Sequence, residues 1–130
     1  MVKRKGLFIF LPVLFMAFIG GMILMIHKNK FPEIKTFEVS EYQYYIDNFS
    51  SEDHLEFISD AKDLLKKVEA IWIEKYGERI KNQKPYQVFY DEVNGIWLVR
   101  GTLQSNRMGG VANILVDNDT GNVLAVWHDK

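Results

Sequence analysis

The stretch Tyr86-Gln-Val-Phe-Tyr-Asp-Glu-Val-Asn-Gly-Ile-Trp-Leu-Val-Arg-Gly-Thr-Leu103 holds two runs rich in β-branched and aromatic residues, 86–93 and 96–103, on either side of Asn94-Gly95. Asn-Gly between two such runs is a strong short-range hairpin signal, because both residues accept a positive φ. Alternation along the second run puts Trp97, Val99 and Leu103 on one face and Ile96, Leu98, Arg100 and Thr102 on the other. Both faces are largely apolar, so each requires cover. Further on, residues 110–116 and 122–128 read as two more strands, joined by the turn cluster Asp117-Asn-Asp-Thr-Gly121.

Upstream of the hairpin the periodicity changes from strand to helix. Leu55, Ile58, Ala61, Leu65, Val68, Ile71, Trp72 and Tyr76 recur at the spacing of one buried helical face. Ser50 and Ser51 are plausible N-caps, Glu52 and Asp53 suit the positive helix start, and Gly77 is placed to end it. The pattern predicts a helix over about 52–76. The fold class is therefore α+β: one long helix packed on a curved four-stranded antiparallel sheet. That helix covers one sheet face. The second must meet the N-terminal segment, a second chain or a partner.

Residues 31–50 form a linker or irregular segment that Pro32 opens. Thr36–Ser40 could supply a short strand and Tyr42–Phe49 a helical turn against the core. Tyr42, Tyr44 and Tyr45 read as cover for the core edge rather than as a binding platform.

Residues 1–30 are of another kind. From Gly6 to Ile26 there is no charged residue, and such a run spans roughly 31 Å as a helix, close to the thickness of a bilayer's hydrocarbon core. Apolar on every face, it suits lipid rather than water. We expect a membrane anchor over 7–26, with 1–30 as the anchor region and 51–130 as the folded domain. The rival is a cleaved secretory signal, but the apolar run is longer than a signal core and Ile19-Gly-Gly21 is a weak cleavage site. Lys3, Arg4 and Lys5 precede the run, and His27, Lys28 and Lys30 follow it. The balance slightly favours a cytoplasmic N-terminus, which places the C-terminal domain of a single-pass protein outside the cytoplasm.

Charge divides the chain in the same place. The first 30 residues carry five of the 16 Lys and Arg and none of the 17 Asp and Glu, so residues 31–130 hold 11 basic against 17 acidic residues, a net charge of −6. A domain of that sign is repelled by nucleic-acid phosphates. The chain has no cysteine, which removes disulfides, thiol nucleophiles, cysteine metal sites and a cysteine lipid anchor.

Candidate chemistry is sparse. Asp117-Asn-Asp119-Thr-Gly121 resembles the start of a calcium loop, but the glycine comes one place early and no glutamate follows Glu92, so a turn built on Asx chemistry is the better reading. His27, His54 and His128 show no metal-ligand spacing. His128 beside Asp129 could orient a general base, yet no hydroxyl in a nucleophile context accompanies it. Asp91-Glu92 at the hairpin tip and Asp60 with Asp63 on the helix read as solvated surface. Gly109-Gly110 after Arg107 lacks both the following helix and the lysine of a phosphate loop, and reads as a bend at the strand start. Phe89, Trp97 and Trp127 read as core or cleft lining. No catalytic, metal or cofactor site is expected.

Ile71-Trp72, Tyr76-Gly77, Lys84-Pro85-Tyr86, Trp97-x-Val99-x-Gly101-Thr102-Leu103, Gly109-Gly110-Val111, Ile114 and Gly121-x-Val123-Leu124, ending near His128 and Lys130, form an ordered set over residues 65–130. That set resembles a bacterial family of small immunity proteins of polymorphic toxin systems, with a nuclear transport factor 2-like (cystatin-like) fold. The resemblance implies a protein without catalysis that binds and neutralises a cognate toxin, and the expected anchor would hold it at the membrane. Trp97, Arg100, Arg107, Trp127 and His128 are the expected partner contacts. Two readings remain beside it: a cystatin-like envelope binding module or inhibitor unrelated to toxins, and a small enzyme using His128 or Asp91 in the sheet cleft. Oligomeric state is open.

Overall fold

The computed structural model describes residues 31–105 and 107–130. The expected membrane segment, 7–26, lies outside them. Among the described residues no helix is long and apolar enough to cross a membrane. The unit Pro32–Lys130 runs β1 (Ile34–Thr36), a 3-10 turn (Val39–Tyr42), α1 (Gln43–Asn48), α2 (Ala61–Tyr76), a second 3-10 turn (Glu78–Gln83), β2 (Gln87–Asp91), β3 (Ile96–Arg100), β4 (Ala112–Asp117) and β5 (Val123–His128).

The sheet has five strands in the order β1-β2-β3-β4-β5, where four were expected. The addition is β1, which pairs parallel to β2 with Ile34 opposite Val88 and Thr36 opposite Tyr90. Its three residues are all exposed, so hydrophobic alternation could not announce it. β2 to β5 form the expected antiparallel meander. The connection between β2 and β3 is the four-residue turn 92–95 rather than a two-residue one. Gly95 alone takes the left-handed conformation, at φ 65°, and its N–H donates to the Asp91 carbonyl at 2.8 Å. Asp91 is correspondingly buried, at 4 % exposure, and not a solvated tip residue. Its carboxylate accepts from the backbone N–H groups of Val39, Val93 and Asn94 and from the Asn94 side chain. The Val39 bond leads in holding its pKa below the ordinary carboxylate range.

The helix begins nine residues later than the periodicity suggests. Asp60, not Ser50 or Ser51, is the N-cap, and its side chain accepts from the Asp63 N–H at 2.8 Å. Residues 49–55 instead run along the outer edge of β5. The N–H of Val126 donates to Phe49 O, that of Val123 to Asp53 O, and that of Leu55 to Gly121 O. Isolated bridges join Ser50 to Ala125 and His54 to Asn122. Backbone groups engaged in this way cannot also enter a helix, and the segment shields an edge that would otherwise be open. The Ser51 hydroxyl accepts from the Asp53 N–H, a local bond that competes with helix. The helix ends at Gly77 as expected.

Two apolar layers result. α2 buries Ala61, Leu64, Val68 and Trp72, and the last three pack with Val88, Val99, Ile114, Val116, Val123 and Val126. Leu64 is fully buried and Leu65 only partly. Val123 and Val126 share a face although three residues apart, because Leu124 is the extra residue of a β-bulge between the pairs Val116–Val123 and Leu115–Ala125. On the far side of the sheet, Ile96, Leu98, Leu115, Ala125 and Trp127 are covered by Phe37, Val39, Tyr42, Tyr45 and Ile46. The second face is thus closed by the chain's own N-terminal segment. The tyrosines Tyr42 and Tyr45 are the cover, with the Tyr45 ring stacked 4.2 Å from that of Trp127.

Candidate functional site

β3 ends at Arg100 and the chain departs from the sheet through residues 101–110 before rejoining it as β4. That excursion is stitched to the 3-10 turn 78–83 that Gly77 throws across the end of the sheet. The Thr102 N–H donates to Gln83 O at 2.7 Å. The Gln104 amide donates to the carbonyls of Asn82 and Lys84, each at 3.2 Å. Gly101 permits the close approach: a Cβ there would stand 2.2 Å from Gln83 Oε1 and 2.8 Å from its Cβ.

Gln83 is the pivot of the arrangement. Its Oε1 accepts from the Ala112 N–H at 2.9 Å, so its amide nitrogen is free to face His128 Nε2, 3.1 Å away. The His128 Nδ1 lies 2.7 Å from the Asp129 carbonyl. A carbonyl only accepts, so the hydrogen of the neutral ring sits on Nδ1 and Nε2 accepts from Gln83. Among the described residues no hydrogen bond joins a carboxylate to His128.

Between these elements lies a recess of about 240 Å³. Ile80, 2 % exposed, forms its floor. Tyr76 from the last turn of α2, with Leu103 and Met108 from the excursion, form an apolar rim that faces solvent. Arg79 and Arg107 line the recess, and no Asp or Glu does. Neither arginine forms an ion pair with a described residue. Burial raises the pKa of the Tyr76 phenol, which keeps it neutral.

Of the five expected partner contacts, the structure brings Arg107 and His128 together here. The other three are elsewhere. Trp97 lies against Tyr90, ring centroids 4.4 Å apart, and donates from Nε1 to Asn118 Oδ1 at 2.9 Å. Arg100 is on the opposite sheet face, donating to Asn113 Oδ1 and pairing with Asp129 at 3.2 Å. Trp127 is 4 % exposed beneath Tyr42 and Tyr45, so the surface expected at that residue is occupied by the chain itself. Tyr76, Arg79, Gln83 and Leu103 were not among the expected contacts. Gly77 and Gly101 carried the available signal, since a helix stop and a close backbone approach bring their neighbours to one end of the sheet.

The other candidate groups have structural partners. His54 Nδ1 faces Asn122 Oδ1 at 2.8 Å. Asp117 Oδ1 accepts from the N–H groups of Asp119 and Thr120, an Asx turn. Among the described residues no group of three or more His, Cys, Asp or Glu is placed to hold a metal ion.

No curated protein and no solved structure matches the chain significantly. A family model described as NTF2 fold immunity protein matches residues 65–130. The match runs from α2 to the last residue and so takes in both walls of the recess and strands β2 to β5. The five-stranded sheet with its few helices is consistent with that fold, and the chain belongs to the NTF2 fold immunity protein family.

Proposed function

We propose that this chain is a membrane-anchored immunity protein that binds and neutralises a cognate protein toxin without catalysis. Membership of the immunity family over residues 65–130 carries the reading. The uncharged run from Gly6 to Ile26 supports an anchor, and the basic residues before it support an exterior C-terminal domain. The partnering of the titratable groups supports binding over chemistry. Asp91 is engaged by backbone donors, and His128 is held by an amide and a carbonyl.

The function is tested by pull-down. The full chain, solubilised in detergent, should retain the product of an adjacent toxin-like open reading frame. If it retains none, the immunity reading fails. Orientation is tested separately on intact spheroplasts, where added protease should digest the C-terminal domain; a protected domain reverses the topology. Specific capture of an envelope protein in cells lacking any toxin-like neighbour would favour an envelope binding module instead.

A further inference from the structure

Resting on the immunity reading, we propose that the recess between the 78–83 turn and the 101–110 excursion is the toxin-docking site. Its occupant is an acidic segment of the toxin, with a carboxylate between Arg79 and Arg107 and an apolar side chain against Tyr76, Leu103 and Met108.

Charge complementarity selects this occupant. Residues 31–130 hold 17 acidic residues, yet none lines the recess, while two arginines do. Both lack an ion-pair partner among the described residues. A planar guanidinium offers paired donors that match a carboxylate, so two of them facing one recess suit an acidic side chain or chain terminus. The rim matches the composition of interface centres, where Tyr, Arg and Met are enriched. Met108 is fully exposed, Leu103 44 % and Tyr76 38 %. Size points the same way. A recess of about 240 Å³ is smaller than ordinary small-molecule sites, which begin near roughly 300 Å³, and it suits an anchoring side chain of a larger partner. The wall is also built before the partner arrives. Gln83 is held by Ala112, Thr102 and His128, so that wall adds little to the ordering cost of binding.

The test uses the full chain in detergent and a catalytically inactivated form of a toxin encoded by a neighbouring open reading frame. Arg79→Glu with Arg107→Glu should weaken binding about tenfold or more at an unchanged melting temperature. Lys35→Glu with Lys66→Glu applies the same change of charge away from the recess and should leave affinity unaltered. Affinity of the unaltered chain should fall about tenfold between roughly 50 and 500 mM salt, a readout that needs no variant. Changing the contacting toxin carboxylate to arginine should restore binding to the reversed variant. A folded double variant of unchanged affinity, or affinity insensitive to salt, overturns the site while leaving the immunity function intact. A double variant that loses self-association in sedimentation but still binds toxin assigns the recess to a second copy and also overturns it. If the unaltered chain fails to bind the toxin, both the function and the site fall.

Discussion

At the scale of single residues, the two helix starts offered by the chain are separable by experiment. Asp60 caps α2 through the Asp63 N–H, so Asp60→Ala should cost about 1 kcal/mol. Ser51→Ala should cost less, because Ser51 bonds only within its own turn. Urea unfolding monitored by circular dichroism measures both, and equal losses would contradict the observed helix start. Acid sensitivity also belongs to named residues. Asp91 is held low by the Val39 N–H and the 93–94 turn, and Glu69 by the Tyr86 hydroxyl and then Lys84. Both native values lie below the unfolded ones, near 3.9 for Asp and about 4.3 for Glu. Their contribution is complete above those unfolded values and is lost as pH falls through the native ones, because the unfolded chain takes up the protons first. The urea midpoint should therefore hold from about pH 7 to 5 and decline below about pH 4, with Asp91→Asn reducing that decline. A midpoint that rises on acidification would refute the assignment. Tyr86 acts at the other extreme. Burial, then its bond to Glu69, raises its pKa, so its contribution is intact below about pH 10 and is lost as pH rises from there.

At the scale of elements, legibility followed how each element is stabilised. The meander from β2 to β5 and the end of the helix at Gly77 were readable because alternation, turn residues and a glycine stop are local signals. The first turns of the expected helix were not. Leu55 and Ile58 are buried, as their spacing suggested, but their segment is fixed by long-range bonds to β5 and Gly121. Of the residues that line the recess, Arg107 and His128 had been singled out in the sequence, whereas Arg79 and Gln83 carry no pattern, and Gln83 reaches its neighbours through tertiary hydrogen bonds. That Trp97, Arg100 and Trp127 lie away from the recess was not legible, because an aromatic or arginine on a strand gives no sign of which side the rest of the chain will cover. Gly101 provides an element-level test. Gly101→Ala places a methyl group against the Gln83 Cβ as well as its flexible amide end, and should cost about 1–3 kcal/mol. It should also perturb the His128 imidazole resonances in NMR spectra, since Gln83 bonds that ring. An unaltered His128 signal would show that Gln83 does not couple the two walls. On the far face, Tyr45→Ala should lower the melting temperature and raise Trp127 fluorescence exposure to quencher, because Tyr45 stacks on that indole. Unchanged quenching would mean that α1 does not cover it.

At the scale of the whole molecule, the fold uses both sheet faces internally, one under α2 and one under the N-terminal segment. At the end of the sheet, Tyr76, Leu103 and Met108 stay exposed beside Arg79 and Arg107. The family match spans that end completely. Anchoring such a surface to a membrane would raise its local concentration where a transferred or exported toxin first meets the cell. The most direct test of the account is growth protection. Cells expressing a toxin encoded by a neighbouring open reading frame with this full chain should grow as toxin-free cells do, while cells expressing the toxin alone should arrest. Equal arrest with and without the chain, at confirmed expression of both proteins, would contradict its role as an immunity protein.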